Sequence, residues 1–129
     1  SVFTHLGPRA AARYFDESAR VLRPGGRCVF SFFLLDNYRS GQPRPLGFGR
    51  SMFDFEHRHP DWDDRVAIVE PANPEQMTAY ADSLVCEMAG SAGLEPDGDP
   101  LTGLWSGGSR TWIAAQDLRV LRHILEAQM

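Results

Sequence analysis

Cysteine is scarce. The chain has two, Cys28 inside an apolar run and Cys86 within a helical pattern. Two are too few for a disulfide framework, and they read as reduced, buried thiols of a cytoplasmic protein. Positive charge is not in excess either. Thirteen basic residues stand against seventeen acidic ones, for a formal charge of -4. That balance offers no broad basic footprint for nucleic acid or an anionic membrane, although arginines in loops remain open as local contacts. No apolar run approaches the length of a membrane span, and the first residues carry neither a basic leader nor a small-residue cleavage site. The expectation is a soluble, untargeted protein. What is present is enough hydrophobic material, 43% of 129 residues, for one core of ordinary size. Ser1-Val2-Phe3 is apolar and strand-like with no cap or turn before it. The chain therefore reads as cut into an element, a mark that a cleaved tag would also leave.

Ser1 to Leu6 reads as the tail of a strand and its loop. Gly7-Pro8 then opens a helix, because proline suits the first helical position, and the helix runs to about Arg23. Ala11, Tyr14, Phe15, Ser18, Val21 and Leu22 recur at spacings of three and four as its inner face. Pro24-Gly25-Gly26 stops it. From Cys28 to Leu35 the chain is almost uniformly apolar, the pattern of a strand buried on both faces of a parallel sheet. The helix-turn-strand unit signals an α/β fold. Asp36 to Arg50 is a long polar loop rich in Gly, Pro and Arg. Met52 to Glu56 and Arg65 to Val69 form a hairpin about His59-Pro60-Asp61. Asn73-Pro74-Glu75-Gln76 has the form of a capping box and predicts a second helix, with Met77, Tyr80, Ala81, Leu84, Val85 and Met88 buried and Gly90 or Gly93 at its end. A short strand near Leu94 to Asp97, a turn at Trp105-Ser106-Gly107-Gly108 and a last strand between Thr111 and Arg122 complete one domain, without internal repeats.

Three stretches, in this order, carry a resemblance: Ser1-Val2-Phe3-Thr4-His5-Leu6, Arg20-Val21-Leu22-Arg23-Pro24-Gly25-Gly26, and Gln116-Asp117-Leu118-Arg119-Val120-Leu121. Together they resemble the C-terminal half of a class I S-adenosylmethionine-dependent methyltransferase domain, and the match spans nearly the whole chain. The first resembles the segment leaving that family's fourth strand, the second the turn entering the fifth, and the third the seventh strand. The resemblance implies a partial Rossmann-like methyltransferase sheet of strands five, seven and six, neighbours in that order, with helices on one face and an inserted β-hairpin. It also implies a methyltransferase whose cofactor, S-adenosylmethionine, is held mainly by a glycine-rich turn and an acidic residue on earlier strands. This chain lacks both. Gly47-Phe48-Gly49 precedes a strand pattern, and Gly107-Gly108 has no third glycine at the needed offset. The isolated chain is therefore expected to bind the cofactor weakly or not at all.

Methyl transfer from a sulfonium needs alignment and exclusion of water more than a metal or a covalent nucleophile. In open α/β sheets ligands lie beyond the carboxyl ends of the strands, which marks Ser1 to His5, Phe33 to Tyr38 and the loop of Trp105. His5 is the candidate catalytic residue, a group that titrates near neutrality and could orient a substrate or take its proton; a helix-capping or surface His is the equal alternative. By resemblance Ser1 and Phe3 edge the cofactor pocket, with Phe3 as plausibly core. Phe33, Asn37, Tyr38 and Trp105 are the substrate-side candidates, against a plain loop-start reading for Asn37 and Tyr38.

His57-Arg58-His59-Pro60-Asp61-Trp62-Asp63-Asp64 holds two His and several carboxylates, but Pro60 interrupts the strand that would aim them at one cation, so a polar hairpin turn is the preferred reading and no metal is expected. Arg39, Arg44 and Arg50 read as solvated loop residues or contacts for an acidic substrate. The competing functions are a non-catalytic binding or dimerisation module derived from such an enzyme and, last, another Rossmann-like enzyme such as a dehydrogenase. The methyl acceptor, a small molecule, a sugar or a peptide, is not readable. The resemblance further implies a bare sheet face with Phe30 or a neighbour exposed, and an open edge along Val29 to Leu34. Both favour a homodimer.

Overall fold

The computed structural model describes residues 3–39, 51–107 and 114–124. Ser1, Arg44, the Gly47-Phe48-Gly49 stretch, Arg50 and Gly108 lie outside them. Phe3–His5 form a single 3-10 turn, and the first helix, α1, follows over Pro8–Val21. Its N-cap is Gly7, and Pro8 occupies the position where a missing N–H costs nothing. The helix stops two residues before the expected end, where Leu22 turns extended ahead of Pro24.

The buried stripe of α1 is Ala11, Phe15 and Ala19. Tyr14 and Val21, assigned to it from sequence, are 46% and 68% exposed. A true i, i+4, i+8 row explains this: small Ala11 and Ala19 let the helix lie close to the sheet while Phe15 fills the gap between.

Strand β1, Arg27–Phe32, pairs antiparallel with the last strand, Asp117–His123, in a register from Arg27 opposite Arg122 to Phe32 opposite Asp117. That last strand, β6 in the chain, pairs on its other side, again antiparallel, with β5, Leu94–Pro96. The sheet order is β1-β6-β5. The expected parallel, doubly buried strand is thus corrected. Phe30 and Phe32 face the core, but Val29 is 58% exposed. The apolar run misled because it serves two purposes. Its first half alternates across one sheet, while Phe33 and Leu34 lie beyond the strand and belong to separate clusters. Phe30 packs against Phe3 and Phe15, so the exposed neighbour is Val29.

Helix α2 spans Asp82–Ser91 and buries Leu84, Val85 and Ala89. Both helices pack with Phe32, Leu121 and Leu94 in one cluster, hence on one face of the sheet. Each fully buried Phe or Leu of this face contributes about 1.5 to 3 kcal/mol. The helix begins at Asp82 rather than at Asn73, because Thr78–Tyr80 forms a strand. The 73–76 capping pattern is used by a turn instead, with the Gln76 N–H donating to the Asn73 carbonyl at 3.0 Å.

The inserted hairpin is a small sheet of three strands, β2 (His57–Arg58), β3 (Val66–Ile68) and β4 (Thr78–Tyr80), in that order and antiparallel. Its first strand lies just beyond the expected Met52 to Glu56. The Tyr80 N–H donates to the Phe33 carbonyl at 2.9 Å, so this sheet is fastened to the end of β1. Cys28 and Cys86 are free and only half-buried. Among the described residues no helix is long and apolar enough to cross a membrane.

Candidate functional site

Past the end of β1 the chain builds a second aromatic cluster, in which Phe33, Phe55 and Trp105 are buried. Its anchor is Asp117, fully buried at the start of β6. Oδ2 accepts from the Leu34 N–H at 2.9 Å and the Trp105 indole N–H at 2.8 Å, and Oδ1 from the Gly103 N–H at 2.7 Å. Three donors from two segments satisfy a carboxylate that would otherwise be costly to bury. They also pin Trp105 against the end of β1. Its ring meets Phe33 edge to face at 5.0 Å and stacks on Tyr38 at 6.4 Å.

Beside this cluster is a cavity of about 190 Å³ whose wall is almost wholly apolar. Phe33 and Trp105 line it, with Met52, Phe53 and Met77, and Thr4, His5 and Gln116 are the polar residues of the wall. His5 is exposed, and its Nδ1–H donates to the Gln76 carbonyl at 2.8 Å. That bond leaves Nε2 as the acceptor of the neutral ring. The Tyr80 hydroxyl, donating to the Leu6 carbonyl, holds the same segment one residue further on.

Three sequence candidates, His5, Phe33 and Trp105, therefore share one cavity although they lie far apart in the chain. Tyr38 stands behind Trp105, its hydroxyl donating to Asp54 Oδ1 at 2.9 Å. Burial, and then that bond to Asp54, push its phenol far above the usual range. Asn37 sits in a 3-10 turn, its N–H on the Leu34 carbonyl at 3.0 Å, and is not part of the cavity wall. Phe3, for which core and cofactor pocket were both open, is 2% exposed and wedged among Phe15, Phe30 and Phe32.

Sequence reasoning missed Met52, Phe53 and Met77, which it placed in a strand and a helix rather than in a wall. It also missed the role of Asp117, for which the available signal was a lone acid heading a strand that carries Leu118, Val120 and Leu121. The His57–Asp64 stretch brings together no metal site, and among the described residues no group of three or more potential ligands converges. Arg39 is exposed, and its N–H donates to Ser51 Oγ at 2.9 Å. No family model matches the chain, and no solved structure matches it.

Proposed function

We propose that the chain is the substrate-side half of a class I S-adenosylmethionine-dependent methyltransferase, and that the His5–Phe33–Trp105 cavity receives the methyl acceptor. The observation that carries the reading is the strand order β1-β6-β5. It agrees with the fifth, seventh, sixth neighbour order that the three motif stretches imply. The cavity adds to it: an apolar space of this size suits a one-ring molecule, and His5 Nε2 is the group on its wall able to accept a proton that such an acceptor sheds. The residues of this chain bind and orient the acceptor and exclude water.

The test uses protein expressed from the complete reading frame, S-adenosylmethionine with a labelled methyl group, and a panel of one-ring phenols and thiols. The expected result is label transfer to at least one acceptor, reduced about 100-fold or more in His5→Ala and lowered in Trp105→Ala. Absence of transfer across the panel, or turnover unchanged in both variants, overturns the reading. A non-catalytic module is the second reading, favoured by the same apolar cavity. It predicts that a phenol binds beside Trp105, quenching its fluorescence, without any transfer.

Self-association along the open edge of β1 belongs to the same proposal. Phe33 directs its carbonyl to Tyr80, away from β6, and at a period of two Ser31 and Val29 turn their backbone groups to the same open side. A second copy pairing there would also cover Val29. Light scattering of wild type as a dimer and of Val29→Lys as a monomer is the expected pair of results; a monomeric wild type at tens of micromolar removes it.

A further inference from the structure

A larger cavity, about 620 Å³, opens between the start of α1, the β2–β3 turn and residues 74 and 75. Its floor is a helix end that nothing caps. The first intrahelical bond runs from the Ala11 N–H to the Gly7 carbonyl at 3.0 Å, so the Arg9 and Ala10 amides precede the helical ladder. Gly7, the N-cap, has no side chain to accept from them. Both residues line the cavity.

A second observation is independent of the helix. His59 is 8% exposed, and its Nδ1 accepts the Asp61 N–H at 3.1 Å. The proton of the neutral ring therefore sits on Nε2. That nitrogen has no acceptor among the described residues, and it lies against the helix start, 3.5 Å from where a Cβ on Gly7 would be. A donor of a mostly buried side chain thus lines the same cavity as two amides outside the helical ladder, and all three are open to an acceptor from outside. The Trp62 indole N–H is buried without an acceptor, and Trp62 belongs to the same wall.

Donors at a helix N-terminus favour an anion. The remaining charge, however, excludes a phosphate. Arg9 is the cation lining the cavity, against the carboxylates of Asp61 and Glu75, so a dianion would meet net repulsion. A carboxylate carried with an ammonium group satisfies both signs, and Trp62 with two prolines offers an apolar surface to the rest of the molecule.

We infer that this cavity binds a small zwitterion, an α-amino acid with an apolar side chain, its carboxylate on the Arg9 and Ala10 amides and His59 Nε2, and its ammonium toward Asp61 and Glu75. The inference stands apart from methyl transfer, since none of these residues lines the other cavity.

The experiment is an amide and indole NMR titration of the whole chain with L-leucine, and with acetate and inorganic phosphate in parallel. Leucine should shift the Arg9 and Ala10 amides saturably, with acetate and phosphate weaker by about tenfold or more. Ala10→Pro removes one donor at a first-turn position where no helical bond is lost, and should weaken leucine about tenfold. His59→Phe should do the same, and Glu75→Gln should weaken leucine while leaving acetate unchanged. If His59→Phe does not fold, Ala10→Pro decides. No saturable leucine shift in the wild type, acetate or phosphate binding as tightly as leucine, or unchanged leucine binding in folded Ala10→Pro overturns the inference.

Discussion

The indole N–H of Trp105 donates to Asp117 Oδ2 at 2.8 Å, and through that one bond the start of β6 sets a wall of the cavity at the end of β1. Because the same oxygen also takes the Leu34 N–H, the position of the ring and the path of the chain leaving β1 are coupled.

Replacing Asp117 by Asn should therefore be costly. An amide turns an N–H toward one of three donors that now face carboxylate oxygens, and the expected loss is about 3 to 5 kcal/mol in chemical denaturation. Trp105 fluorescence should report a loosened environment even where the variant remains folded. A loss under about 1 kcal/mol would remove Asp117 as the anchor.

Gly103 lies so close to the β6 entry that a Cβ would overlap the Gln116 carbonyl and approach the Ala115 carbonyl at 2.7 Å. The obstacle is backbone, which cannot swing aside as a side chain can. Gly103→Ala should thus destabilise by about 1 to 3 kcal/mol and weaken any ligand of the His5–Trp105 cavity. Gly90→Ala, with open space around it in a helix, should be neutral or slightly stabilising.

Of the three tyrosines, Tyr38 and Tyr80 are held well above the ordinary phenol value. Burial is the main cause in both, followed by Asp54 for Tyr38 and by Glu75 for Tyr80. A raised folded value means that the native state holds the proton more tightly than the unfolded chain does. The stabilisation is complete below the ordinary phenol range and is lost as pH climbs through the folded values. Ultraviolet titration should show these two phenols ionising only as the protein unfolds in alkali, with the late step smaller in Tyr38→Phe. Early ionisation of all three would refute the packing of Tyr38 behind Trp105.

Asp82 and the buried Arg119 are paired at 3.0 Å between α2 and β6. Burial outweighs the attraction of Arg119, and the Asp82 carboxyl lies above its ordinary value. The sign follows directly: this group favours the fold most in acid, below its unfolded value, and that contribution is lost as pH rises through the folded one. Asp82→Ala should nevertheless destabilise at neutral pH, by about 3 to 5 kcal/mol, because it strands the Arg119 charge in the interior. Denaturation midpoints at several pH values, for wild type and variant, separate the two effects.

Much of the local structure was legible without the fold. Pro8 opening α1, Pro24-Gly25-Gly26 following its end and the apolar run within β1 are set by chemistry acting within a few residues. His5, Phe33 and Trp105 could be named because the sequence reading put each beyond a strand end; Phe33 does follow β1, whereas His5 and Trp105 lie within 3-10 turns. What patterns of spacing could not decide was which neighbour an apolar residue would take. Met77 to Tyr80 suit a helix as well as a strand, and only the free edge of β3 and the carbonyl of Phe33 made them a strand. Val29 and Phe30 are equally apolar, yet the register with β6 turned one out and the other in. The donors around Asp117 and the unspent nitrogen of His59 likewise exist only where distant segments meet. Local sequence sets backbone preference over a turn or a strand, whereas burial, register and hydrogen-bond partners are properties of pairs of segments, and those pairs come into being only when the chain packs.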